Sequence, residues 1–464
     1  MLTDVRPTAP PLPRPGLLAG HHAFAVVLAL AAALRVIVML GYPPARLYWY
    51  DSFEYLDTAV HLRPGAGFHP IGYSLFLRLL LPFHSVGLIA AVQHVMGLAI
   101  GVMVYALLRR RSLPVWAACL AAAPVLFAAS FFQLEHAVLS DTPFMFLITA
   151  GLTTLMWSPR LSARAATGAG LLFAFAALTR TIALPLLLLV VVVLAFQRVG
   201  RRPLIALAVS GTLPLAAYAG WYGHHHGRFA LSGADGVSLW ARTMTFADCS
   251  VIRPPAGLAP LCPNATVVDA ASEYVWAPGA SLNLLPGDRM DHNDEARAFA
   301  IRAIAAQPFD YLLDVARDTS IAFAWTPIAH PKRVTPAFGY RLGGGGLPDQ
   351  PLVERARRAY DPRMSDARAV RPWADFLIAY QYPAYLRGPV LAALLLLGAA
   401  GAVARRRAVL LPWSLAVALL VCPVAVLDFD HRYVLPVVPF ACLAAALALH
   451  AIVRPPLPGN RRPG

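Results

Sequence analysis

The chain has 464 residues, 58% of them hydrophobic and 14% charged, with a formal net charge of +15 and a mean hydropathy of +0.59. A soluble domain carries about 25% charged residues, so an ordinary soluble enzyme is excluded. Nucleic-acid binding is set aside as well, because no aromatic–basic recognition motif accompanies the positive charge, which instead suits contact with anionic headgroups.

Ten apolar runs of about spanning length follow one another, at 17–40, 85–107, 113–131, 139–157, 163–179, 181–197, 203–222, 388–404, 408–427 and 434–453. The first is too long for a signal-peptide core and lacks a small-residue cleavage site, so it reads as a retained helix. With both termini cytoplasmic, the inside segments collect 16 basic residues against one acid, Asp4, and the other 23 acids fall outside. That asymmetry is what the positive-inside rule requires. The sequence therefore predicts an all-α polytopic membrane protein of about ten transmembrane helices in the cell (plasma) membrane, with an extracytoplasmic active site. Residues 1–222 form a seven-span bundle interrupted by an acidic outside loop at 41–84. Residues 223–387 form a large extracytoplasmic insertion, and 388–464 the three closing spans. No internal repeat is visible.

Between the spans, 69–83 is too short to cross and reads as interfacial or dipping into the membrane. Residues 291–325 read as helix, restarted at Pro308, and Gly343–Gly346 as a flexible loop. Cys119, Cys422 and Cys442 lie inside apolar runs as small buried hydrophobes. Cys249 and Cys262 both fall outside, where an oxidising compartment allows them to pair. No cysteine pattern resembles a zinc site. Arginine supplies every basic residue except Lys332, a composition that fits a GC-rich bacterial genome.

Four groups of polar residues collect at the outside ends of the spans. They are Asp51, Glu54, Tyr55 and His69; Gln133, Glu135, His136, Ser140 and Asp141; Thr179 and Arg180; and Asp428, Asp430, His431, Arg432 and Tyr433. Carboxylates there can take a proton or hold a divalent metal, and arginines can clamp phosphate oxygens. Each also has a plainer reading. Asp51 and Asp141 suit helix starts, Asp57 a solvated loop, and Arg35 and Arg180 snorkelling. Arg432 could simply pair with Asp428 or Asp430, and His224-His225-His226 could form a polar interfacial cap. The sequon Asn264-Ala265-Thr266 carries little weight in a bacterial chain.

The ordered set Asp51-x-x-x-Tyr55, Arg63-Pro64-Gly65, His69-Pro70-Ile71-Gly72-Tyr73, Glu135-His136 to Asp141-Thr142-Pro143, Ala177-Leu178-Thr179-Arg180, Gln307-Pro308-Phe309-Asp310-Tyr311-Leu312 and His431-Arg432-Tyr433-Val434-Leu435-Pro436 resembles bacterial polytopic glycosyltransferases of the GT-C class. These belong with the protein mannosyltransferases and aminoarabinose transferases that use polyprenyl-phosphate sugars. The resemblance implies an inverting transfer of one hexosyl or pentosyl unit to a glycan, lipid or protein acceptor. It makes Asp51 the general base or acceptor-orienting carboxylate, with Glu54 and Asp141 beside it. Tyr55, His69, Glu135, His136, Arg180, His431, Arg432 and Tyr433 would bind substrate. In relatives that use a metal (Mg or Mn), Asp51, Glu135 and Asp141 would be its ligands. An adjacent acid pair found in some relatives is absent here, since Ser52 follows Asp51. The rival readings are a lipid-linked-sugar flippase or small-solute transporter, which calls for broken or polar helices at the midplane and often repeats, and a non-catalytic scaffold for cell-envelope assembly.

Overall fold

A run of twenty residues free of acids builds the first helix, α1 (His22–Gly41). The computed structural model describes residues 20–65, 67–332, 339–404 and 407–453; the predicted inside charges Asp4, Arg6, Arg14, Arg405, Arg406, Arg454, Arg461 and Arg462 lie outside them. The helices that follow are α2 (Trp49–Val60), α3 (Gly72–Leu80), α4 (Val86–Arg110), α5 (Val115–Phe127), α6 (Ala129–Glu135), α7 (Asp141–Met156), α8 (Ala163–Thr179), α9 (Ala183–Phe196) and α10 (Arg201–His226). The second half contains α11 (Asp235–Thr243), α12 (Cys249–Ile252), α13 (Ala271–Trp276), α14 (Asn293–Ala306), α15 (Pro308–Ser320), α16 (Pro351–Tyr360), α17 (Trp373–Tyr380), α18 (Gly388–Val403), α19 (Arg407–Val426), α20 (His431–Val434) and α21 (Val437–Val453). The only β pairing among the described residues is two isolated bridges, Arg46 with Ala137 and Gly344 with Arg368.

Each of the ten predicted segments coincides with a helix. Length and composition make five of them candidate membrane spans, namely α1, α4, α10, α19 and the combined stretch His431–Val453, with the bent pair α5–α6 as a sixth. The other four, α7, α8, α9 and α18, are 14 to 17 residues long, short of the roughly 20 that a full crossing takes. Helix length and composition therefore identify five or six candidate crossings of an integral membrane protein among the described residues, with these shorter apolar helices beside them.

The bend between α5 and α6 is 53°. Pro124 stands one turn before the break and has no N–H to continue the ladder. Backbone groups freed in an apolar region need other partners, and four beside the break have them. Leu126 O and Val125 O accept from Arg35 at 3.1 and 3.4 Å, and Phe127 O accepts from the Tyr380 hydroxyl at 2.7 Å. The Ala129 N–H reaches Ala384 O at 2.9 Å.

Packing follows small residues. At Gly170 of α8 a Cβ would stand 2.6 Å from Leu207 O of α10, so glycine sets the close approach of that pair. One large hydrophobic cluster joins the long helices. A second, smaller one is built on Val237, Trp240, Leu261, Phe299 and Ala303, chiefly from α11 and α14. The predicted 223–387 segment contributes to both clusters, since Tyr360 of α16 and Leu377 of α17 are buried in the large one. Pro308 does restart the chain, as the first residue of α15. Cys249 and Cys262 form a disulfide, and the 69–83 stretch is α3 followed by a short 3₁₀ turn.

Two loops are locked together beside the polar ends of the helices. Arg46 N donates to His136 O at 3.0 Å and Val138 N to Arg46 O at 2.9 Å. The Ser52 hydroxyl, on α2, donates to Val138 O at 2.8 Å. This clamp sets Asp51 across from the start of α7.

Candidate active site

On α2 the spacing i, i+3, i+4 puts Asp51, Glu54 and Tyr55 on one face, and that face lines a cavity of ≈ 1420 Å³. His69, Ser140, Asp141, Arg180, Asp428, Asp430, Arg432 and Tyr433 line it too. Of the predicted site residues, Asp51, Glu54, Tyr55, His69, Asp141, Arg180, Arg432 and Tyr433 are thus brought to one place.

Asp51 Oδ1 lies 3.6 Å from His69 Nε2, and Oδ2 lies 3.4 Å from Arg432 Nη1. Glu54 approaches the same His69 nitrogen at 3.7 Å. The other ring nitrogen of His69 is 2.9 Å from the Tyr55 hydroxyl, which is 3.0 Å from Ser140 Oγ. Burial opposes charge on Asp51, but the hydrogen bond and charge of His69 together with the Arg432 guanidinium outweigh it and hold the carboxyl well below its usual range. Glu54 moves the other way: burial raises it, His69 offsets part of that, and Asp51 and Asp57 add to the rise. Burial works against charge on His69, yet Asp51 and Glu54 raise it. Two carboxyls on one helix face are thereby pushed apart in proton affinity, the pattern that separates acid and base roles.

The opposite wall is cationic. Arg180 Nη1 lies 2.7 Å from Asp141 Oδ1, and Arg432 Nε lies 3.0 Å from Asp430 Oδ2. Both guanidinium groups stack on the Tyr433 ring, at 5.2 and 5.3 Å, and Arg432 also lies over Tyr48 at 5.3 Å. Neither ion pair is aligned as a hydrogen bond at these atoms, so both Asp141 oxygens and Arg432 Nε are buried without one among the described residues. Below this polar ring the cavity wall turns apolar, with Leu184, Pro185, Leu215, Leu419 and Pro423.

Three predicted residues lie elsewhere. Glu135 is fully buried, gripped by Arg35 through two bonds of 2.7 and 2.8 Å and by His94 at 2.8 Å. His136 bonds to Tyr42 O at 2.7 Å and to His94 at 3.2 Å. His431 bonds to Ile328 O at 2.6 Å. Arg35, read from the sequence as snorkelling, instead points inward. Tyr48, Arg228, Arg297 and Arg341 line the cavity without having stood out in the sequence, where nothing in their spacing separates them from other loop residues.

Glu135 is absent from the cavity wall, so Asp51, Glu135 and Asp141 do not converge. Among the described residues the one trio with ligand atoms close enough for a metal ion is Asp318, His330 and Asp428, all within 4.8 Å of one another. It touches the cavity through Asp428. His330 bonds to Asp428 at 2.7 Å and Asp318 to Arg242 at 2.5 Å, so a cation there would compete with two existing partners.

The pH dependence follows from these shifts. Asp51, depressed in the fold, contributes stability above its unfolded value of about 3.9, and the contribution is lost as pH falls through the depressed value. His69, raised in the fold, contributes fully below about 6.5, and its contribution fades as pH rises through the raised value. The melting temperature should therefore decline on the alkaline side in wild type, and His69→Gln should flatten that decline. An unchanged alkaline limb in His69→Gln would separate His69 from the effect.

Fold and site together define an all-helical membrane protein whose cavity sets carboxylates against paired arginines. Its structural matches are GT-C glycosyltransferases, over most of the chain and at low sequence identity. They include the S. cerevisiae protein O-mannosyltransferase Pmt1–Pmt2 complex bound to the sugar donor (17% identity, TM-score 0.35, 45% of this chain and 34% of that one). The oligosaccharyltransferase of Archaeoglobus fulgidus in the apo form also matches (14%, TM-score 0.44, 94% and 51%), as does ArnT from Cupriavidus metallidurans bound to undecaprenyl phosphate (14%, TM-score 0.35, 94% and 78%). The chain thus spans only 34% and 51% of the length of the first two. No family model and no curated protein matches it.

Proposed function

We propose that the chain is a glycosyltransferase that moves a sugar from a polyprenyl-phosphate donor to an acceptor hydroxyl or amine at the outer face of the membrane, with about ten crossings and cytoplasmic termini. The observation that carries this reading is the single cavity in which Asp51, Glu54 and His69 face Arg180 and Arg432 above an apolar wall. The lipid phosphate docks on the two arginines, whose planar forks suit phosphate oxygens, and the polyprenyl tail follows the apolar wall. The acceptor oxygen attacks the anomeric carbon from the side opposite the phosphate. Its proton passes to a carboxylate on α2, the bond between the anomeric carbon and the phosphate oxygen breaks, and the phosphate keeps the electron pair, which inverts the sugar centre. A phosphate leaving group needs little protonation, so no acid pair at glycosidase spacing is required.

Arg432 links the two halves of this scheme. Before the donor binds, it partners Asp51. A docked phosphate competes for that guanidinium, and Asp51 becomes a better proton acceptor once it is released. A divalent cation, if used, would add positive charge at the rim, with Asp318, His330 and Asp428 as its holders. The disulfide Cys249–Cys262 fits an oxidising compartment for this region.

The bent α5–α6 pair favours a second reading, a flippase or solute transporter, because discontinuous helices supply ion sites in such proteins. Here its freed carbonyls are taken by Arg35 and Tyr380, which leaves them unavailable to an ion. Purified protein given labelled polyprenyl-phosphate sugar and a membrane lipid extract should yield label on a new acceptor with release of polyprenyl phosphate. Label crossing vesicle membranes without any release of polyprenyl phosphate would instead support the transporter.

A further inference from the structure

The cavity has a second end, and its chemistry differs from that of the arginine pair. Phe68, Phe229 and Trp276 line it there, together with Arg228, Asp235 and Arg297. Phe229 is 73% exposed and Trp276 52%, which is unusual for rings on a cavity wall. The rings of Phe68 and Trp276 are 5.7 Å apart, and Arg289 covers Trp276 at 4.7 Å, which fixes the indole in place. Phe68 directly precedes His69, so this aromatic patch adjoins the carboxylates of α2. Gly233 N, bonded to Gly67 O at 3.0 Å, ties the two loops together.

The polar groups beside the rings are paired with one another, and together with Asp294 the two arginines and two acids sum to zero charge. Arg228 reaches Asp235 at 3.5 Å and Asp294 at 3.2 Å, and Arg297 reaches the same two acids at 2.5 and 3.6 Å. Two cations shared between two anions form a poor phosphate site, unlike Arg180 and Arg432. They do present donors and acceptors side by side, and Arg297 Nε is buried with no hydrogen-bond partner among the described residues.

We infer that this end is the acceptor subsite and that the acceptor is a saccharide, recognised by ring stacking on Trp276, Phe68 and Phe229 and by hydroxyl bonds to the Arg228–Asp235–Arg297 set. The inference rests on the transferase reading above. A sugar ring has one face of C–H groups that packs against the electron-rich face of an aromatic ring, and an edge of hydroxyls that both donate and accept. Flat rings next to a charge-paired polar set match both. A lipid tail would be better served by the apolar wall at the other end. A peptide that binds by adding to a strand edge finds no strand lining the cavity among the described residues.

The test uses the full-length protein, labelled polyprenyl-phosphate sugar and three separated acceptor fractions: delipidated envelope glycan, envelope lipid and envelope protein. Label should enter the glycan fraction and resist protease. Trp276→Ala should raise the KM for that acceptor about tenfold, the size of a lost stacking contact, while the KM for the donor stays put. Trp276→Phe should restore most of it. Phe229→Ala, which alters a ring that packs into no core, provides a second reading of the same subsite. Label confined to protein or lipid, or an acceptor KM unmoved in both Trp276→Ala and Phe229→Ala, would overturn the saccharide subsite. Failure of wild type to consume donor with any fraction would overturn the transferase reading itself.

Discussion

Arg432→Leu should lower the rate of sugar transfer about 10²- to 10³-fold, the cost of removing a prearranged charge partner from a developing anion. In the wild type, Arg432 contacts Asp51 and Asp430 and stacks between Tyr48 and Tyr433, so its position is fixed by four groups before any donor arrives. Arg432→Lys keeps the charge but loses the planar fork and the stacking, and should fall between wild type and the leucine variant. Steady-state rates at varied donor concentration check this. Arg432→Leu turning over donor at the wild-type rate would remove the arginine pair from the phosphate site.

The second large effect concerns stability. Arg35→Met should destabilise the protein by about 3–5 kcal/mol, because it strands a buried carboxylate. Glu135 is wholly buried, and His94 would be its one remaining partner of the pair that now holds it. The same change frees the carbonyls of Val125 and Leu126 at the α5–α6 bend. Gly97 of α4 is part of this arrangement, since a Cβ there would stand 1.8 Å from Glu135 Oε1. The double variant Arg35→Met, Glu135→Leu should recover part of the loss, because no charge is then left alone. Thermal unfolding in detergent measures both variants, and equal melting temperatures for wild type and Arg35→Met would refute the brace.

Much of the α2 face was legible from residue spacing alone. Asp51, Glu54 and Tyr55 share a helix side by periodicity, and a cluster of acids between apolar runs marks a costly location. Their contact with Arg432 was not legible from local pattern, because it joins positions 381 apart and depends on how the last helices close against the first. The polar residues after α6 show the limit most clearly. Sequence places Glu135, His136 and Asp141 at the same membrane depth, yet Asp141 faces the cavity and Glu135 faces the bundle. Depth is encoded by hydropathy, whereas the direction a side chain takes there depends on the bend at Ala128 and on Arg35, a hundred residues away. Helix ends were hard to read for a related reason: apolar composition continues through positions such as Arg180 and Ala128 where the helix itself stops. The Cys249–Cys262 bridge needed only proximity in sequence and an allowed geometry, and it forms.

In the proposed scheme the carboxylates of α2 and the arginine pair make one transfer site. Asp51→Asn tests it most directly, because the amide preserves shape and removes the negative charge. With labelled polyprenyl-phosphate sugar and acceptor extract, the variant should still bind donor, yet transfer should drop by about 10²- to 10⁴-fold, the range for loss of a general base. Transfer by Asp51→Asn at the wild-type rate would contradict the account.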